Sequence, residues 1–114
     1  MTNDEYSIFL RGKVVAICEA ILQEEIGVIA GSRRLNSLGH QLCDDFDKDF
    51  RPFVAIDSET DHLPVDRERQ NWSQEALERK DREISEYEIA AKEEAFEACK
   101  ILIQRFIGFK NADL

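Results

Sequence analysis

The six residues Asp57-Ser58-Glu59-Thr60-Asp61-His62 bring together three carboxylates, two hydroxyls and an imidazole. Those types are the raw material of acid–base or metal-assisted hydrolysis. A plainer reading of the same six is a helix end, in which Ser and Thr bond the backbone and His62 complements the C-terminal dipole. Just upstream, Asp45, Asp47 and Asp49 form D-x-D-x-D, the opening of an EF-hand calcium loop. Phe50 then stands where that loop needs Gly, and Ile56 where it needs a bidentate Glu. A second register, Asp57, Glu59 and Asp61 with Glu68 at the twelfth place, keeps the acids but puts His62 at the Gly position. A solvated acidic face accounts for both runs more simply. His40 is the only other histidine, it lies within the face formed by Leu35, Leu38 and Leu42, and no G-x-S-x-G, P-loop or H-E-x-x-H is present. The expectation is a protein without catalytic residues, metal or cofactor. A small metal-dependent hydrolase built on Asp57, Glu59, Asp61 and His62 is the alternative.

Binding is the stronger reading because of where the charge lies. The 114 residues carry 24 acids against 15 bases, a formal −9. From Asp44 to Asp61 there are seven acids and two bases, so this stretch alone holds −5 of the −9. Excess negative charge opposes contact with nucleic-acid phosphates and favours a basic partner. Phe46, Phe50 and Phe53 lie inside the stretch and Trp72 follows it. Carboxylates can steer a cationic partner and an aromatic side chain can then anchor it. The expected binding surface is Asp44, Asp45, Asp47, Asp49, Asp57, Glu59, Asp61, His62 and Trp72. It would meet a basic protein such as a toxin domain, with neither nucleic acid nor membrane as partner.

The elements that must position these residues are helices. Tyr6, Phe9, Leu10, Val14, Ile17 and Ile21 recur at three- and four-residue steps and predict a helix over 4–24. Val28, Leu35, Leu38 and Leu42 predict another over 27–43, with Gly31 leaving room for another backbone and with Arg33 and Arg34 on the polar face. Phe46, Phe50, Phe53 and Ile56 suggest a short helix near 46–57 if Pro52 falls in its first turn; a strand through Phe53-Val54-Ala55-Ile56 competes. From His62 to Asn71 no period is visible, as in a surface connection. Ser73 is a good N-cap, flanked by Trp72 and Leu77 at the staple positions, and nothing stops the helix it starts before Gly108. The first half of that helix is charged, and the second carries the apolar residues Ala91, Ala95, Phe96, Ala98, Cys99, Ile101, Leu102, Ile103 and Phe106 that belong in the core. The fold class is therefore all-α: three to four helices in one small bundle with a long C-terminal helix, residues 1–114 forming a single helical domain.

With 43% apolar and 34% charged residues the chain is neither disordered nor membrane-spanning in composition. Its N-terminus lacks the basic start and apolar stretch of a signal peptide, so a cytoplasmic location is expected. Cys18, Cys43 and Cys99 are odd in number and outside any C-x-x-C spacing, and read as buried reduced thiols. A homodimer joined through the long helix is compatible with the binding reading.

Residues 26–38, the segment Phe53-Val54-Ala55-Ile56-Asp57-Ser58-Glu59-Thr60-Asp61-His62-Leu63-Pro64, and residues 72–77 resemble a family of small uncharacterised bacterial all-α proteins. The resemblance implies a bacterial, cytoplasmic helical protein in which the D-S-E-T-D segment is a signature, and it carries no catalytic assignment. A weaker similarity, of type alone, is to the acidic helical immunity proteins of bacterial nuclease toxins. It implies a protein that neutralises a basic toxin.

Overall fold

The computed structural model describes residues 2–43 and 47–111, the last three as backbone. Helices α1 (Asn3–Leu22), α2 (Val28–Leu42), α3 (Arg51–Glu59) and α4 (Gln74–Asn111) follow in order, with a 3₁₀ helix at Asp66–Asn71 between α3 and α4. No strand occurs among the described residues, so the helical reading of Phe53 to Ile56 holds.

Neighbouring helices run antiparallel, as their paired residues show. Tyr6 of α1 meets Gln41 of α2, while Ile21 lies against Gly31. Phe50 lies against Gly39, and Asn36 bonds Asp57. Glu24, just beyond α1, pairs with Lys92 of α4. One core cluster draws on all four helices: Leu10, Val14, Cys18 and Ile21 of α1, Leu35 and Leu38 of α2, Phe53 and Ile56 of α3, and Ala95, Cys99, Leu102 and Phe106 of α4. The apolar half of α4 thus enters the core and the charged half runs on beyond it. At 1.5 Å per residue, the 38 residues of α4 have a contour length of about 57 Å.

The helix ends follow from local chemistry. Thr2 caps α1 by accepting from the Glu5 amide at 3.1 Å. Ser73 caps α4 by accepting from the Ala76 amide at 3.2 Å. At the end of α1 the Glu24 and Glu25 amides bond back to the Ile21 and Ala20 carbonyls, a Schellman closure. It puts Glu24 at φ 60°, where glycine is the usual occupant. Gly27 stands at the N-cap of α2 and has no side chain to cap with; Glu88 of α4 substitutes, accepting from the Ile29 amide at 2.9 Å. A Cβ on Gly27 would stand 2.7 Å from that carboxylate oxygen.

Three expectations need correction. Helix α3 spans 51–59 rather than 46–57: the Asp49 amide bonds the Asp47 carboxylate in a turn, and Pro52 fits only the first positions of a helix. The 62–71 connection contains the 3₁₀ helix, fastened by ion pairs that have no local period. Gly31 admits a side chain, not a backbone: a Cβ there would lie 2.5 Å from Ile21 Cδ1.

Candidate functional site

From Asp47 to His62 the acidic stretch lies antiparallel along α4 and is tied to it near Asp47 and near His62. At one end Arg105 reaches Asp47 at 3.0 Å and Asp49 at 2.9 Å. Its guanidinium holds the Asp47 carboxyl below the usual carboxylate range, helped by the Asp49 amide, and Asp47 and Asp49 in turn raise Arg105. At the other end the Tyr87 hydroxyl donates to Glu59 at 2.6 Å, and His62 Nε2 stands 2.8 Å from Glu83 Oε1. Burial pushes the Tyr87 phenol up to about 12, reinforced by the carboxylates of Glu59 and Glu94.

Between the ends, Asp57 turns inward. It accepts from Asn36 Nδ2 at 2.8 Å and lies 3.5 Å from Arg33 Nε. Arg33, whose side chain is only 17% exposed, is the fastener of this region. It also donates to the carbonyls of Thr60 and Leu63 and to Glu68. Thr60 is fully buried and its hydroxyl returns a bond to the Ile56 carbonyl at 2.6 Å, while Leu63 and Pro64 are buried behind it. Most polar side chains of the D-S-E-T-D-H segment therefore have an internal partner, and Asp57, Glu59 and His62 point to different ones. Among the described residues no group of three or more His, Cys, Asp or Glu is placed to hold a metal ion.

The expected binding surface is thus divided. Asp47 and Asp49 are ion-paired at the Arg105 end, and Asp57 is spent on Arg33. Glu59, Asp61 and His62 gather with Glu83 and Tyr87 at the opposite end, where Asp61 is 80% exposed and reaches His62 only at 4.0 Å. From Ser73 to Glu83 the helix rises about 15 Å, so Trp72 stands away from that cluster. It is partly exposed at the junction of the 3₁₀ helix and α4. Asp44 and Asp45 lie outside the described residues. Sequence reasoning missed Glu83, Tyr87 and Arg105 as determinants of this surface. Arg33 had one signal, its place in the densest basic spot of the first half.

A groove of about 510 Å³ opens on the other side of α4, beyond the end of α1. Tyr87 and Ile89, two residues apart on a helix, point nearly opposite ways. Ile21, Ile26, Val28, Ile84, Ile89 and Phe96 line the groove, with Glu24, Asp81, Glu88 and Lys92 among the polar residues at its edges.

A protein-family model matches residues 4–102, from the first turn of α1 through most of α4. The chain belongs to the DUF2489 family, described as proteins of unknown function. The DUF2489 match takes in Arg33, the Asp57 to Pro64 segment and the Glu83 and Tyr87 contacts, and stops short of Arg105. No curated protein and no solved structure matches the chain. Among the described residues no helix is long and apolar enough to cross a membrane.

Proposed function

We propose that this protein is an acidic helical binding protein whose partner is a basic protein, and most concretely an immunity protein that neutralises a basic bacterial toxin such as a nuclease. The observation that carries the reading is the cluster at the α3 end. Asp61 projects into solvent beside Glu59 and Glu83, on a surface held rigid by the Tyr87–Glu59 and His62–Glu83 bonds and by Arg33 beneath. Exposed carboxylates on a fixed platform attract a cationic partner at long range and lose no conformational freedom at the backbone when it docks.

The structure refines which residues to test. Neutralising Asp47 or Asp49 breaks an internal clamp, whereas Asp61 makes only the 4.0 Å approach to His62. With the partner obtained by co-purification from the native host, or supplied as the toxin encoded beside this gene, Asp61→Asn should slow association and flatten its salt dependence while leaving dissociation nearly unchanged. An acidic partner, or unaltered association for Asp61→Asn, would refute the acidic-surface mechanism. A toxin left active by saturating protein would refute the immunity reading.

A further inference from the structure

Along α4 the apolar residues Ile89, Phe96 and Ile103 recur at intervals of seven, followed by Ile107 one turn on. A strict seven-residue step drifts by only about 20° per repeat on a straight helix, so these four form one stripe along its flank. The stripe is not part of the core proper. Ile89 is 75% exposed and Ile107 43%, and Phe96 and Ile103 are half-buried at the edge of the α1 contact. Single exposed apolar residues call for no explanation, but four apolar residues aligned along one flank of a long helix, two exposed and two half-buried, form a row on which a second helix can pack.

The geometry points to a second copy of this chain as the occupant of that stripe, paired antiparallel about a two-fold axis at Phe96. The charges beside the stripe select this partner. In that register Ile89 of each copy meets Ile103 of the other, and Phe96 meets its own symmetry mate. Glu93 and Lys100, both exposed on the outer flank of the stripe, then face Lys100 and Glu93 of the second copy. One complementary pair thus occurs twice, as an isologous interface requires. Lys92 would confront Lys100 of the second copy in the same register, but it is drawn aside to its own Glu24 at 2.6 Å and lies over its own Phe96 ring. Lys100 bonds Glu97 of its own helix at 3.1 Å, an exposed pair that costs little to exchange. The groove at Ile84, Ile89 and Phe96 receives the apolar residues that Ile103 and Ile107 of the second copy present. From Ile89 to Ile103 the seam spans about 21 Å of each helix, the scale of a modest, concentration-dependent dimer.

The test is sedimentation equilibrium of the full chain over a wide concentration range, with charge reversals that leave the core untouched. The wild type should dimerise reversibly. Glu93→Lys and Lys100→Glu should each weaken the dimer roughly tenfold or more, because each creates two like-charge contacts by symmetry. The double reversal should restore it, with helix content by circular dichroism equal in all four proteins. Ile89→Asp should give monomer at every concentration. A monomeric wild type, or a double reversal no tighter than the single variants, overturns the inference, as does a dimer that survives Ile89→Asp.

Discussion

Replacing Arg33 with Met should be among the most damaging single changes available in this protein. The side chain is 17% exposed and joins four groups: the carbonyls of Thr60 and Leu63, the carboxylate of Glu68, and Asp57 at 3.5 Å. Methionine preserves most of the packed volume and removes every donor. Glu68 is well exposed and recovers water, so it contributes little. The two carbonyls and Asp57 do not recover it fully. A hydrogen bond to a charged group is worth about 1.5–3 kcal/mol, and stripping one member from a buried pair costs about 3–5 kcal/mol. Asn36 still bonds Asp57, which limits the second figure. The expected loss is about 3–5 kcal/mol, a large share of the roughly 6–17 kcal/mol that about 0.05–0.15 kcal/mol per residue gives a chain of this length. Urea unfolding should show it as a lower midpoint with an unchanged slope. Asp57→Asn should cost less, about 1–2 kcal/mol, because Arg33 keeps both carbonyls. A loss below about 1 kcal/mol for Arg33→Met, or a larger loss for Asp57→Asn than for Arg33→Met, would refute the view that Arg33 fastens the D-S-E-T-D segment to α2.

The Arg105 clamp makes stability acid-sensitive. Asp47 is held below its ordinary carboxylate value, so its contribution is complete above that value and disappears as pH falls through the depressed one. Urea midpoints from pH 5 downward should fall in the wild type and fall less steeply in Arg105→Gln. Two glycines should answer alanine with opposite signs. Gly31→Ala drives a Cβ into Ile21 and should destabilise by about 1–2 kcal/mol, whereas Gly108→Ala meets nothing within 4 Å and should stabilise by up to about 1 kcal/mol. Equal signs in a denaturation series would contradict the packing. Among the thiols, half-buried Cys43 should react with a thiol reagent first, with Cys18 and Cys99 protected until unfolding. The Cys18 thiol is pushed up by its Cys99 neighbour and by burial, so rapid native-state labelling of Cys18 would refute its placement.

The sequence alone determined that α1, α2 and α4 are helices, though not the bounds of α3, because a helix is specified by neighbours three and four residues apart. The apolar steps of α1, Ser73 before α4 and Pro52 at the head of α3 are all local patterns that survive without knowledge of the fold. Where the chain had no period the sequence was silent. The 3₁₀ turn of Asp66–Asn71 is fixed by Arg33 to Glu68, Arg34 to Asp66 and Arg69 to Asp81, two of which reach back to α2. Only the tertiary structure decided what the carboxylates do. A local charge sum counts Asp47, Asp49, Asp57 and Asp61 alike. Yet Asp47 and Asp49 are consumed by Arg105, 58 and 56 residues away, and Asp57 by Arg33 and Asn36, while Asp61 is left mostly to solvent. The same holds for Glu88, an unremarked acid in a charged helix until the fold sets it 59 residues back in sequence at the start of α2. Ion pairs and caps of this kind depend on separation in space, and Coulomb attraction falls off with distance through the protein and not along the chain.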